Sequence, residues 1–256
     1  MEFTDDELER YARHIVLREI GGPGQQKLKA ARVLCIGAGG LGSPALLYLA
    51  AAGVGTLGVV DDDEVSLSNL QRQIVHTTAR VGTPKTESAR AMLADINPTI
   101  AFSGHCVRLG ADNAENLVGA YDIVLDGSDN FDTRYAVNAA CVAAGKPLVA
   151  AALSQWEGQI STYAPSLGAP CYACVFPQRP AAGLAPSCAE AGIVGALAGV
   201  VGSMMAVETV KLIVGTGAPL LGEMLIYDAL YGDCRKLKLK RDPNCRACAD
   251  SARNPA

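Results

Sequence analysis

The stretch that most restricts the fold is ARVLCIGAGGLGSPALLYLAAAG, residues 31–53. An apolar run of strand character enters a turn with Gly37, Gly39 and Gly42 in G-x-G-x-x-G spacing. A helix rich in alanine and leucine leaves it, and Gly53 stands where a C-terminal cap belongs. Such a turn lets the backbone approach a phosphate, and the helix behind it offers unpaired N–H groups and the positive end of its dipole. Asp61 lies 24 residues beyond Gly37, at the end of the next apolar run, where a carboxylate accepts from ribose hydroxyls. A glycine turn also serves close helix–strand packing alone; the acid in place favours a nucleotide.

The rest of the chain continues the rhythm. Strand character in TLGVVDDD, TIAFSGHCV, YDIVLDGSDN and KPLVAAAL alternates with helical character in TESARAMLADINP and TRYAVNAACVAAG. That alternation predicts an α/β fold, a Rossmann-like, doubly wound and mostly parallel sheet. Beyond Gly158 the segments GQISTYAP, EMLIYDAL and CRKLKLK lack helical crossovers and read as antiparallel additions. An opening helix starts at TDDELERYARHI, with Thr4 and Glu7 spaced as a capping box. The 256 residues divide within one domain into a helical segment 1–30, a nucleotide-binding half 31–157 and a second half 158–256. The stretch FPQRPAAGLAPSCAEAG is loop-like and expected to be mobile.

A formal charge of −4 provides no broad attraction to nucleic acid or to an anionic membrane. The first ten residues, MEFTDDELER, carry no apolar leader. Residues 191–207 are uncharged but short for a membrane span, and Glu208 and Lys211 follow at once, so they read as a core or interface helix. The expected location is the cytoplasm.

Asn69, Arg72 and Gln73 follow the acid, and Lys85 opens the next helix in TPKTES. A triphosphate needs such cations, arginine as a bidentate grip and lysine as a point charge. Asp126 and Asp129, in LDGSDN, lie at the C-terminal end of a strand that faces the ligand crevice. Asp129 is the expected Mg²⁺ ligand, and Asp126 a cap for the turn. Arg134 and Asn138, one helical turn apart, either bind substrate or pin their helix. A nicotinamide oxidoreductase is the alternative enzyme, but His14, His76 and His105 stand in no setting that suggests proton handling.

Four of nine cysteines are paired as knuckles, Cys171 with Cys174 in CYAC and Cys245 with Cys248 in CRAC. In a reducing compartment two such pairs predict a closed, structural tetrathiolate zinc site. Cys35, Cys106, Cys141 and Cys234 read as small core fillers.

Taken together, RYARHIVL, GAGGLGSP, DDDEVSLSNLQRQ, PKTESA, LDGSDNFDTRYAVN, CYAC and CRAC resemble the MoeB/ThiF/HesA adenylyltransferases that activate ubiquitin-like proteins, over nearly the whole chain. The resemblance implies that ATP lies across Gly37, Gly39, Gly40 and Gly42 with Asp61 on the ribose. It implies further ATP contacts from Ser68, Asn69, Leu70, Gln71, Arg72, Lys85, Asp129 and Asn130, with Asp129 on Mg²⁺. It also implies a homodimer in which Arg72 reaches the neighbouring site, a basic contribution from Arg13 near the nucleotide, and Cys188 in a segment over the active site that in some members accepts the carrier covalently. The implied reaction is attack of a carrier's C-terminal glycine carboxylate on the α-phosphate, giving acyl-adenylate and pyrophosphate without a general base. VSLSNLQRQ, PKTESAR, EGQIS and EAGIVG are more similar to the molybdopterin-synthase branch, and DDDEV and TLGVVDD to the thiamine branch. The expected partner is therefore the ubiquitin-like sulfur carrier that is the small subunit of molybdopterin synthase, with the thiamine sulfur carrier as the alternative. No rhodanese-like segment follows CRAC, so activation without direct sulfur transfer is expected.

Overall fold

In the computed structural model, residues 3–179 and 192–249 are described. The expected alternation forms an eight-stranded sheet ordered β3-β2-β1-β4-β5-β6-β7-β8. The first five strands in chain order are β1 (Arg32–Ile36), β2 (Thr56–Val60), β3 (Ala101–His105), β4 (Ile123–Asp126) and β5 (Leu148–Ser154), and they pair in parallel. β6 (Glu157–Tyr163), β7 (Glu223–Asp228) and β8 (Asp233–Lys238) extend the sheet antiparallel, as their lack of crossovers required. The crossover direction reverses between β1 and β4. Crevices for ligands open at such a reversal, beyond the C-terminal strand ends.

The capping box forms as spaced: Thr4 Oγ1 accepts from the Glu7 amide and Glu7 returns the bond, starting α1 (Asp5–Ile15). α2 (Gly21–Ala30) has no comparable signal, because GGPGQQKLKA carries three glycines and a proline. Buried Gln25 and Leu28 hold it, which is a tertiary override of poor propensity. α3 (Gly42–Ala51) and α4 (Lys85–Ile96) pack on one face of the sheet. On the other face lie the short α5 (Ala114–Gly119), α6 (Phe131–Ala144) and the four-residue α7 (Tyr172–Val175).

The last helix, α8 (Gly195–Val214), is 20 residues long and apolar enough by composition to cross a membrane. It packs instead against α3, β5 and β6, with Leu197, Val201 and Met205 fully or almost fully buried. Each such side chain contributes about 1.5–3 kcal/mol of burial. Gly202 permits the contact, since a Cβ there would come within 2.3 Å of the Leu41 carbonyl oxygen. Its one internal acid is also accounted for: buried Glu208 pairs with Lys211 and accepts from the Leu220 amide.

Candidate active site

A cavity of about 940 Å³ opens between the turn after β1 and the turn after β4. Gly37 takes φ +88°, a left-handed conformation that glycine adopts freely. Gly39 and Gly40 line the cavity, and no acceptor among the described residues takes their amide N–H groups. The Ala38 amide donates to Asp61 Oδ2 at 2.8 Å, and the Asp63 amide donates to Asp61 Oδ1 at 3.0 Å. Asp61 thus braces the glycine turn while lining the cavity, and its remaining lone pairs are available to a ligand. Burial raises its pKa, opposed by the Lys85 ammonium and by the two amides.

Lys85 starts α4 and is only 5% exposed, with Nζ 2.6 Å from Asp63 Oδ2 and 4.0 Å from Asp61 Oδ1. A buried cation so held is a fixed positive charge on the cavity wall. Arg72 lies opposite Gly40, its Nη1 donating to the Ser68 carbonyl at 3.2 Å. Buried Gln73 lines the same wall, and its Oε1 has no partner among the described residues.

The turn after β4 is built by Asp126, whose Oδ1 accepts from the Ser128 amide and hydroxyl at 2.9 and 2.6 Å. Asp126 is therefore the turn cap, and Asp129 presents an exposed carboxylate to the cavity. With Asp61, Asp62 and Asp63 across the cavity, the oxygen donors suit Mg²⁺ alongside phosphate. Asn130 caps α6 by accepting from the Thr133 amide. Arg134 pins its surroundings through the Ser128 and Ala151 carbonyls yet also faces the cavity, whereas Asn138 is structural, accepting from the Tyr172 amide. Val107 and Leu109 supply an apolar wall, and Leu153, Gln159, Tyr172 and Phe176 lead away from the glycine turn.

Several expectations need correction. Gly42 is not a cavity residue: a Cβ there would lie 1.9 Å from the Gly37 carbonyl oxygen, so it serves helix–strand packing. Ser68, Asn69, Leu70 and Gln71 do not line the cavity either; their turn carries Arg72 and Gln73 to it through the Asn69 carbonyl. Arg72 lines the cavity of its own chain. Arg13 is exposed on α1, whose Tyr11 bonds to Asn97 and Thr99 near the N-terminal strand ends, opposite the cavity. Cys35 and Cys141 are buried as fillers, but Cys106 and Cys234 are exposed. Cys188, and most of the loop that holds it, lie outside the described residues.

Asp63, Val107, Leu109, Gln73 and His76 are the residues that sequence reasoning undervalued. The first three are ordinary for a strand end or loop, and no spacing rule marks them. His76 is buried, with Nε2 2.9 Å from the Ala38 carbonyl and Nδ1 2.8 Å from Ser88 Oγ.

The sulfurs of Cys171, Cys174, Cys245 and Cys248 lie within 4.8 Å of one another, with Cys171–Cys174 at 3.7 Å, Cys171–Cys245 at 3.6 Å and Cys174–Cys248 at 3.4 Å. A tetrahedron with Zn–S bonds of about 2.3 Å has edges of about 3.8 Å. The four thiols therefore fit zinc, and the set joins α7 to the segment after β8.

The ThiF family matches residues 11–247. The sulfur carrier protein adenylyltransferase of Thermus thermophilus is 49% identical over 254 residues, covering 98% of this chain and 94% of that protein. The probable adenylyltransferase/sulfurtransferase MoeZ of Mycobacterium tuberculosis is 49% identical over 242 residues, with 93% of this chain covering 62% of that one. The crystal structure of E. coli MccB with ATP has the same fold, with TM-score 0.80 and 24% identity over 93% of this chain and 74% of that one. The glycine turn braced by its acid, the cation wall and the four-cysteine set thus stand on a chain that belongs to the ThiF family.

Proposed function

We propose that this chain is an ATP-dependent adenylyltransferase acting on the C-terminal glycine carboxylate of a ubiquitin-like sulfur-carrier protein. The observation that carries this reading is one cavity that brings together Asp61, Arg72, Lys85 and Asp129 at the reversal of the sheet. Asp61 accepts from the ribose, the Gly39 and Gly40 amides and Arg72 and Lys85 hold phosphates, and the carrier tail enters past Gln159 and Phe176. The attacking carboxylate is already ionised near neutral pH, so the barrier is repulsion between anions together with charge on departing pyrophosphate. Arg72 and Lys85 offset that charge, and the enclosing walls hold the reactants in line. Mg²⁺ held by Asp129 would add further neutralisation on the phosphates. The zinc set is structural. A nicotinamide oxidoreductase is disfavoured because none of the three histidines lines the cavity.

The Thermus name supports sulfur carriers as the acceptor class, and the molybdopterin carrier is the member we favour over the thiamine one. The enzyme acts in the cytoplasm, where free thiols suit a zinc set.

It works as a homodimer. Tyr48 on α3 and Val207 on α8 are 61% and 57% exposed on helices packed side by side, and Ile74 is 53% exposed on the segment that reaches the start of α8. A two-fold axis across α8 would set the C-terminal end of one copy, where α2 and α1 pack, beside the N-terminal end of the other, near Gly40. Arg13, remote from its own cavity, then serves the neighbouring one, and Arg72 serves its own.

The test is Mg²⁺-dependent ATP–pyrophosphate exchange with each sulfur carrier in turn. Exchange with the molybdopterin carrier alone is expected; exchange with only the thiamine carrier reassigns the partner, and silence with both refutes carrier activation by either. Mixing Arg13→Ala with Asp129→Ala chains should restore part of the activity, because one intact site forms per mixed dimer. Absence of recovery under proven subunit exchange overturns the shared site.

A further inference from the structure

His76 lies beneath the glycine turn, outside the cavity lining, and is 5% exposed. A carbonyl only accepts, so the Ala38 oxygen requires a proton on Nε2, 2.9 Å away. The neutral ring then accepts at Nδ1 from the Ser88 hydroxyl, 2.8 Å away on α4. The preceding peptide, which joins Gly37 to Ala38, donates its N–H to Asp61 Oδ2 at 2.8 Å. The two peptides that flank the Ala38 Cα are therefore held by side chains from different segments, with the Ser43 hydroxyl a longer second donor to the Ala38 oxygen at 3.4 Å.

The linkage continues. Ser88 follows Lys85 by three residues on α4, so the ring joins the glycine turn to the helix that carries the buried cation. The Lys85 amide in turn donates to the Asp63 carbonyl at 2.9 Å, and Arg80 Nη1 donates to the Ser88 carbonyl at 3.3 Å. The Gly39 N–H belongs to the very peptide whose oxygen His76 holds and points away from the ring, and the Gly39 and Gly40 amides lie beside the cavity with no acceptor among the described residues. Without the His76 bond only the longer Ser43 contact restrains the Ala38–Gly39 peptide, which can then rotate and take the Gly39 N–H with it.

We propose that His76 is a positioning residue for phosphate binding: a neutral strut that locks the Ala38–Gly39 peptide so that the Gly39 and Gly40 amides face the nucleotide, in register with Lys85. The proposal deepens the nucleotide reading of the cavity and rests on it. Burial, and the positive charges of Lys85 and Arg80 that face the ring, lower its pKa to about 4, which keeps the strut neutral near physiological pH.

The experiment measures Mg²⁺–ATP affinity by calorimetry on the full chain, with melting temperature recorded for every variant. His76→Phe keeps an aromatic ring but removes both polar atoms. His76→Gln keeps an N–H donor near the Nε2 position. Ser88→Ala removes the second anchor alone. Expected is an affinity for Mg²⁺–ATP weakened about tenfold or more in His76→Phe, as loss of ordered amide contacts to a charged group implies. His76→Gln should recover most of it, and Ser88→Ala should fall between. Affinities are compared at a temperature where every variant is folded. A residue that merely stabilises the fold would lower the melting temperature of His76→Phe and leave affinity within about twofold of wild type; that result overturns the proposal. Should His76→Phe fail to fold, the Gln and Ser88→Ala variants decide: Ser88→Ala weakened several-fold with His76→Gln closer to wild type sustains the proposal, and both within about twofold of wild type overturns it. Failure of the wild-type chain to bind Mg²⁺–ATP would instead sink the nucleotide reading itself, and is told apart by that control.

Discussion

Breaking the four-cysteine set by Cys245→Ser tests how the second half of the chain is held. Cys171 and Cys245 are 74 residues apart in sequence and 3.6 Å apart between sulfurs. A cross-link that closes a loop of that length removes about 4 kcal/mol of conformational freedom from the unfolded chain, by the relation used for disulfides. For a domain of this size that corresponds to a fall in melting temperature on the order of 10 °C. Beside the four thiols, the segment after β8 is held by the Leu239 amide on the Gly222 carbonyl at 2.8 Å and by the packing of Leu239 on the core, while β8 itself is exposed along its length. The assay pairs metal analysis of the purified chain with thermal unfolding before and after chelation. One zinc per chain is expected in wild type and none in Cys245→Ser, with the same melting shift from chelation as from substitution. Cys106→Ser and Cys234→Ser, both exposed and outside the set, should leave the metal content and the shift unchanged. A wild-type chain without bound zinc, or a melting temperature that moves by less than about 2 °C on chelation, refutes the reasoning.

The two glycines of the turn should separate packing from binding. Gly42→Ala places a Cβ 1.9 Å from a backbone oxygen that cannot rotate aside, so it should cost at least about 1–3 kcal/mol of stability by urea unfolding. Gly39→Ala meets nothing nearer than the Gln73 amide at 3.7 Å, so its stability should stay near wild type while ATP affinity falls. His76 predicts a pH effect with a definite sign. Its folded pKa of about 4 lies below the unfolded 6.5, so the unfolded chain binds the proton first. This contribution to stability is present above pH 6.5 and lost as pH falls from 6.5 towards 4. His76→Gln should lose less stability than wild type over that interval when unfolding is measured at each pH.

Much of the fold was legible because its signals are local. The strand–glycine–helix segment, the near-continuous apolar runs of β1, β2 and β4, and the capping box at Thr4 each depend on residues a few positions apart. The four-cysteine set was legible for the same reason, since each CxxC knuckle is a local word. α2 was not, because its glycines and proline oppose a helix that only buried Leu28 and Gln25 sustain.

The amino-acid sequence by itself determined the class of fold, the acid that follows the glycine turn and the four thiols, because periodicity and short spacing carry those directly. Which residues face the ligand depended on the tertiary structure. Gly42 was moved from binding to packing by the carbonyl of Gly37, and Arg13 was carried to the far end of the sheet from the cavity by α1. Lys85 acquired its role when two acids 22 and 24 residues earlier closed on its ammonium, and His76 when Ala38 and Ser88 met its two nitrogens. Spacing along a chain orders residues on one helix or strand. The sites at which separate elements converge are set by how those elements pack, and that arrangement exists only in three dimensions.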